Sequence, residues 1–159
     1  MVIKKVFLSL CLVSSFLNSD VFEKGKLGVG VTLGTSQSYN NTYTIAGLSA
    51  NYFVVDNLNV GIAYRGWFGG TPTKNELSLS TNYFIPLSEQ FRPYIGLFVR
   101  ETFVSDGFRD FESYGARGGL AFINENTYVS IGYAYEEYGN CLFGECSNSY
   151  PELIFGLSF

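Results

Sequence analysis

Apolar residues alternate with small or polar ones along most of the chain after its first 25 positions. In the segment KLGVGVTLG (residues 26–34), every second residue from Leu27 to Leu33 is leucine or valine, and glycine or threonine lies between them. A period of two places successive side chains on opposite faces of a β-strand, whereas a helix repeats its apolar positions every three to four residues. The pattern therefore predicts strands with one bulky apolar face and one face of small residues.

Three similar segments predict β-hairpins. They are ANYFVVDNLNVGIAY (50–64), TNYFIPLSEQFRPYIGLF (81–98) and LAFINENTYVSIGYAY (120–135). In each, a turn rich in Asp, Asn, Pro or Ser separates two runs of alternating residues, which is the pattern of a hairpin. Three hairpins supply six strands. The opening segment 26–34 and the closing segment PELIFGLSF (151–159) bring the number of predicted strands to eight.

The other connections read as longer and more polar loops, at residues 35–42, 69–75, 105–113 and 137–149. Short turns at one end and long loops at the other are typical of outer-membrane barrels, whose strands of about 9–11 residues cross the bilayer at a tilt. The predicted fold class is therefore all-β: an eight-stranded antiparallel up-and-down transmembrane β-barrel formed by residues 20–159.

The small face of the strands distinguishes a membrane barrel from a soluble ligand-binding barrel. It contains almost no lysine, whereas a soluble barrel would carry Lys, Glu and Asp on the face that meets water. A narrow eight-stranded lumen instead needs small side chains where the strands crowd together. We therefore expect the bulky apolar side chains to face lipid. Near the short turns, the residues expected in an interfacial aromatic girdle are Tyr52, Tyr83, Phe84, Phe91 and Tyr94.

Composition and charge support an exported membrane protein. Charged residues make up only 15% of the chain and aromatic residues 18%, whereas a soluble domain has about a quarter of its residues charged. A net charge of −4 without a basic patch argues against nucleic acid as a partner. Residues 1–19 read as a signal peptide, with Lys4 and Lys5 before an apolar core. Cleavage is expected after Ser19 or, as a second choice, after Ser15.

Six charged residues occupy inward positions at similar heights in this scheme. Three cations and three anions can satisfy one another through charge-assisted bonds, whereas a single unpaired member would be costly. The belt is interpreted as a polar plug that fixes the register of the strands; a gate or ion-selective constriction is the alternative. Its predicted members are Arg65, Glu76, Arg100, Arg117, Glu136 and Glu152.

Cys141 and Cys146 lie in the last predicted loop, in the sequence CLFGEC. An oxidising compartment outside the cytoplasm favours a disulfide between them over two free thiols, provided that the geometry permits it. Two cysteines without histidine are a weak indication of a metal site, so no metal or other cofactor is expected.

Catalysis is not expected. The chain contains no histidine, which excludes activation of a serine by a histidine base. The neighbouring Glu136 and Glu137 point to opposite faces of one strand and cannot act together on one substrate. The sequence therefore predicts a protein that is not an enzyme.

The segments LSANYFVVDNLNVGIAYRGWF and PLSEQFRPYIGLFV, with a terminal Phe behind alternating apolar residues, resemble the OmpA/OmpX-like family of small bacterial outer-membrane barrels. The resemblance extends over nearly all of residues 20–159 and implies a location in the outer membrane. It also implies that the last strand is recognised by the barrel-assembly machinery, although Leu157 stands where the family often has Tyr. The residues of this assembly signal are Leu153, Phe155, Leu157 and Phe159.

The function expected on these grounds is a structural or surface-interaction role in the outer membrane of a Gram-negative bacterium. The predicted loops combine aromatic with acidic residues, such as Phe108 and Asp110, and loops on a rigid scaffold often carry binding sites. Expected partners are outer-membrane lipid, lipopolysaccharide and a surface protein or host ligand. A narrow porin-like pore or carrier for small solutes is the alternative.

Overall fold

The computed structural model describes residues 20–38, 40–142 and 145–159, and the predicted signal peptide therefore lies outside the described residues. The described part contains eight strands. Their bounds are Leu27–Ser38 (β1), Asn41–Val55 (β2), Leu58–Phe68 (β3), Lys74–Phe84 (β4), Phe91–Val104 (β5), Phe111–Asn124 (β6), Thr127–Leu142 (β7) and Glu145–Ser158 (β8). No described segment forms a helix that is long and apolar enough to cross a membrane.

The strands close into a barrel. Each strand pairs antiparallel with its neighbours in the sequence, and β1 pairs with β8 from Gly28 opposite Ser158 to Gly34 opposite Glu152. At the end of this seam the backbone NH of residue 27 donates to Phe159 at 3.0 Å, and the NH of Phe159 donates back at 2.9 Å. Closure leaves no free strand edge along this ladder. The eight-stranded antiparallel up-and-down barrel predicted from the sequence is confirmed.

The bulky apolar face points outward, as predicted. Leu48 and Leu97 are more than 60% exposed, and Phe155, Leu157 and Phe159 form an exposed row on the closing strand. Such an apolar exterior would be unfavourable in water but suits contact with acyl chains.

Two residues of the predicted aromatic girdle face the lumen instead. Tyr52, Tyr83 and Phe91 are exposed on the outer surface, but Phe84 and Tyr94 are each only 3% exposed. Consecutive side chains of a strand point to opposite faces, so Tyr83 and Phe84 cannot both face lipid. The prediction that Phe84 and Tyr94 belong to the girdle was wrong.

Two of the four long loops predicted from polarity are largely strand. Strands β1 and β2 continue to Ser38 and from Asn41, and strands β7 and β8 leave only residues 143–144 between them. These polar segments still pair across the hairpin, as Thr35 does with Thr44, because threonine favours strands. The loops that remain at this end of the barrel, 69–73 and 105–110, agree with the prediction in place but are shorter.

The two ends of the barrel are named here by their connections. The rim is the end that carries loops 69–73 and 105–110, and the base is the end that carries turns 56–57, 85–90 and 125–126. Residues 20–26 precede β1 at the base and turn back into the lumen, where Val21 and Phe22 are buried.

Candidate functional site in the lumen

The alternation of inward and outward side chains along each strand, here called strand parity, determines which charged residues face the lumen. Tyr64 points outward on β3, so the next residue, Arg65, points inward, and Glu76 lies opposite it on β4. The same alternation turns Arg100, Arg117, Glu136 and Glu152 inward, on β5, β6, β7 and β8 respectively.

Arg100 lies between two carboxylates. Its Nε is 3.3 Å from Glu76 Oε2, and its Nη1 donates to Glu136 Oε2. The Tyr150 hydroxyl donates to the same oxygen of Glu136 at 3.2 Å. The Arg100 guanidinium also lies over the ring of Phe98, 4.6 Å from its centroid. Polar and aromatic contacts therefore hold this cation in one place.

Arg65 and Arg117 extend the arrangement to β8. Arg65 Nε is 3.9 Å from Glu76 Oε2, and Arg65 Nη1 is 3.8 Å from Glu152 Oε2. Arg117 Nη1 is 3.5 Å from Glu152 Oε1. Carboxylates and guanidiniums thus alternate across the lumen. We call these residues the ion-pair chain; in order of contact they are Glu136, Arg100, Glu76, Arg65, Glu152 and Arg117.

The ion-pair chain is shielded from solvent. Its side chains are between 0% and 8% exposed. Buried charges are tolerated when partners of opposite sign compensate the loss of hydration, and three cations here balance three anions. The arrangement is therefore a buried polar layer across the barrel in which the six formal charges sum to zero.

A lysine above this layer, on the rim side, was not predicted as a site residue. Lys74 Nζ lies 3.6 Å from the centroid of the Trp67 ring and 5.0 Å from that of Tyr43. The Tyr43 hydroxyl donates to the carbonyl of Pro72 at 2.8 Å. Aromatic faces stabilise a cation that has lost its water. The parity of β4 indicates this position, because Lys74 lies two residues before the inward Glu76.

Aromatic side chains fill the lumen further, where the sequence predicted mainly small residues. Phe98 and Tyr150 are buried at the level of the ion-pair chain, and a larger cluster closes the base. Some small inward residues allow the strands to approach closely, as predicted, and others also make room for these rings. A Cβ atom on Gly132, for example, would lie 2.2 Å from the Tyr94 hydroxyl oxygen.

The predicted disulfide cannot be placed. The side chain of Cys141 lies outside the described residues, so its pairing with Cys146 stays a prediction. Both residues belong to the ends of the β7–β8 hairpin at the rim.

The predicted assembly residues lie along the outer face of β8. Phe155, Leu157 and Phe159 are exposed, and Leu153 is partly buried. Their neighbours Glu152 and Ser158 point inward and are buried. The structure thus separates this apolar row from the ion-pair chain, although both use β8.

The two loops of the rim are bonded to each other. Thr73 Oγ1 donates to Ser105 Oγ at 2.8 Å, and Asp110 Oδ1 accepts the backbone NH of Val104 at 2.9 Å. Phe111 is buried against Tyr138, with ring centroids 5.2 Å apart. Acidic and aromatic residues at the rim therefore serve partly to order the loops.

Phe108 is accessible, unlike Phe111, because 39% of its surface remains exposed. It lies between Asp106 and Asp110 in the loop 105–110. The rim thus presents an accessible aromatic side chain on a loop that is fixed at both ends.

Solved structures resemble this barrel in fold. The N-terminal β-barrel domain of Pseudomonas aeruginosa OprF has a TM-score of 0.66 and 17% identity, covering 86% of this chain and 98% of that one. Neisserial surface protein A has a TM-score of 0.62 and 16% identity, covering 84% and 94%. The outer membrane enzyme PagL has a TM-score of 0.52 and 17% identity, covering 82% and 98%.

The chain matches no protein-family model and no curated protein. At these levels of identity the structural likeness establishes the fold, and the inclusion of an enzyme among the similar structures means that the fold alone does not decide activity. Closure, an apolar exterior and a filled polar lumen agree with the likeness. The chain has the fold of the eight-stranded β-barrels of the bacterial outer membrane.

Proposed function

We propose that this protein is a non-conducting barrel of the outer membrane with a structural or surface-interaction role at its rim. The observation that carries the proposal is the ion-pair chain, whose six buried charges occupy the lumen. Opening a continuous aqueous path would separate buried ion pairs, and each uncompensated buried charge would cost several kcal/mol. Removal of one partner of a buried pair typically lowers the free energy of unfolding by about 3–5 kcal/mol.

The apolar exterior supports insertion in a lipid bilayer. The exposed leucines, valines and aromatic residues surround the barrel, and exposed tyrosines such as Tyr52 and Tyr83 suit the interface with lipid headgroups. In this proposal the rim faces the outside of the cell and contacts lipopolysaccharide, and the base faces the periplasm. Residues 1–19 would direct export and be removed.

The exposed row on β8 suits recognition by the barrel-assembly machinery. The side chains of Phe155, Leu157 and Phe159 point outward from the barrel and are exposed. A strand of the assembly machinery could contact these outward side chains, because the alternate side chains of β8 point into the lumen and do not obstruct it.

A non-enzymatic role is favoured by the composition of the chain. It has no histidine, and Glu136 and Glu137 point in opposite directions, the first into the lumen and the second to Tyr114 and Tyr135 on the outside. The charged side chains of the ion-pair chain are paired with one another, which leaves them poorly suited to act on a substrate.

Conductance in planar lipid bilayers distinguishes this proposal from the narrow pore. We expect membranes that contain the folded protein to show no steady single-channel openings, because the ion-pair chain stays closed. Steady openings of uniform amplitude would contradict the proposal and favour the pore. Incorporation is verified in the same membranes by protease protection, so that silence reports a closed barrel.

Replacement of Phe108 by serine tests the surface-interaction role. We expect adhesion of bacteria that display the protein to epithelial cell monolayers to fall to the level of bacteria that lack it, because exposed aromatic side chains on ordered loops are preferred contact residues. Leu87→Ser is the matched control, since Leu87 is also an exposed apolar residue, 68% accessible, but lies at the base. Equal adhesion of the Phe108→Ser and unmodified strains would contradict a surface-interaction role for Phe108, and only the structural role would remain.

A further inference from the structure

The residues before β1 form a compact insertion in the base of the lumen. Val21 is 1% exposed and Phe22 is 0% exposed, although both lie outside the strands. Segments near the start of a domain are usually poorly ordered unless something holds them. We call residues 20–26 the stopper.

The ring of Phe22 is held from three sides of the barrel. It stacks on Phe84 of β4, with centroids 4.0 Å apart and the planes inclined by 14°. It also contacts Tyr128 of β7 edge-on at 5.2 Å and Phe53 of β2 at 5.5 Å. Aromatic pairs at these separations stabilise one another beyond the area that they bury. The stopper therefore fills the cross-section at the base instead of resting against one wall.

Backbone bonds fix the stopper to the adjacent turn. The NH of Asn57 donates to the carbonyl of Phe22 at 2.7 Å, and the NH of Gly25 donates to the carbonyl of Phe53 at 2.8 Å. The NH of Phe53 in turn donates to Lys26 at 3.0 Å. These bonds satisfy peptide groups that would be costly to bury unpaired.

Arg92 joins the stopper to the opposite wall. Its Nη2 is 2.5 Å from Asp20 Oδ2, and its Nη1 donates to Asn57 Oδ1. Its Nε donates to the carbonyl of Ser88 at 3.3 Å, and the guanidinium lies 5.3 Å from the centroid of the Phe22 ring. Arg92 is largely buried. One side chain thus connects the stopper, the turn 56–57 and the turn before β5.

We propose that the stopper closes the base of the lumen, as a second closure independent of the ion-pair chain, and that Arg92 is the positioning residue that holds it shut. The lumen is then closed at both ends. Ser130 on β7 points inward at the upper edge of the base cluster, two residues beyond Tyr128, and it is 2% exposed. Its neighbours across the sheet are Ala121, a member of that cluster, and Ile154, which packs against it. This inference does not depend on the role proposed for the rim.

A cysteine at position 130 reports access of solvent to the lumen past the stopper. The reporter is Ser130→Cys in a protein that also carries Cys11→Ser, Cys141→Ser and Cys146→Ser, so that position 130 holds its single thiol. The protein is folded in detergent micelles and treated with a negatively charged, water-soluble maleimide. We expect slow labelling with the stopper intact. Phe22→Ala or Arg92→Gln should raise the labelling rate at least about tenfold, because loss of a buried ring or a multiple contact favours local opening.

Lys24→Ala is the matched control within the stopper, because the Lys24 side chain is exposed and only its backbone NH bonds to Asp56, at 2.8 Å. Its labelling rate should equal that of the parent. Equal rates for Phe22→Ala and Lys24→Ala, or fast labelling of the parent, would overturn the proposal.

Folding of each variant is checked by its mobility in unheated gels, where closed barrels migrate differently from unfolded chains. Should Phe22→Ala fail to fold, Asp20→Asn gives the reading, because it removes only the charge that pairs with Arg92. We expect it to label at an intermediate rate. A rate unchanged from the parent would overturn the role assigned to Arg92.

Discussion

Replacing Arg100 by methionine should lower the free energy of unfolding by about 3–5 kcal/mol, the cost of breaking a buried ion pair from one side. Glu76 would keep Arg65 at 3.9 Å, but Glu136 would keep the neutral hydroxyl of Tyr150 in place of a cation. The measurement is urea unfolding in detergent micelles, followed by the fluorescence of Trp67, the single tryptophan of the chain, which is buried in the lumen.

The double variant Arg100→Met with Glu136→Gln separates this cause from lost packing. It removes one cation and one anion together, so the remaining members of the ion-pair chain stay balanced in charge. We expect it to recover about 2 kcal/mol relative to Arg100→Met alone, because the uncompensated carboxylate is gone. A double variant that is no more stable than the single one would contradict the pairing of Arg100 with Glu136.

Replacing Gly119 by alanine should destabilise the barrel by about 3 kcal/mol, at the upper end of the usual cost of overpacking. A Cβ atom at Gly119 would lie 2.2 Å from the carbonyl oxygen of Ile131 and 2.5 Å from the Cα of Gly132. Both atoms belong to the backbone of β7, where Gly132 lies directly opposite Gly119. Relief therefore requires β6 and β7 to move apart. Urea unfolding of the refolded variant measures the effect.

Gly118→Ala is the control for that substitution. Gly118 is the preceding residue on the same strand but faces outward, and the nearest atom to an added Cβ is the Tyr94 carbonyl oxygen at 3.3 Å. We expect a change within about 1 kcal/mol, as for most surface substitutions. Similar losses for the two alanine variants would show that strand propensity, and not the crowded lumen, sets the cost.

The sequence predicts strand parity, that is, which side chains of each strand face lipid and which face the lumen. The alternation in β1 and in the closing strand identifies the lipid-facing side, and the same alternation brings Arg65 opposite Glu76. A slip of one residue would turn every side chain to the other face, so a correct assignment of a few strands determines the inward set. That is why the sequence alone predicts the six members of the ion-pair chain together.

Composition was a poorer guide where it overrode parity. Phe84 and Tyr94 are aromatic residues near the short turns, which suggests the outer girdle, but their strand positions point inward. Polarity similarly suggested loops at residues 35–42 and 137–149, where hairpins continue as paired strands. Polar residues can be loops or water-exposed strands, and the pairing that decides between them depends on the neighbouring strand.

The stopper could not have been predicted from local pattern. Its sequence, DVFEKGK, is too short for a periodicity, and its contacts come from β2, β4, β5 and β7, which are distant along the chain. Only closure of the barrel brings Phe53, Phe84 and Tyr128 around Phe22. Contacts of this kind follow from tertiary structure and leave little trace in a short segment.

The burial of the ion-pair chain also determines how the barrel responds to salinity. Dissolved ions weaken charge interactions only where they can approach, and at about 1 M salt exposed charges more than about 3 Å apart hardly sense one another. Counter-ions are kept from the lumen by the surrounding rings and strands. We therefore expect the attraction between the internal charges to be equally strong in dilute and in concentrated media.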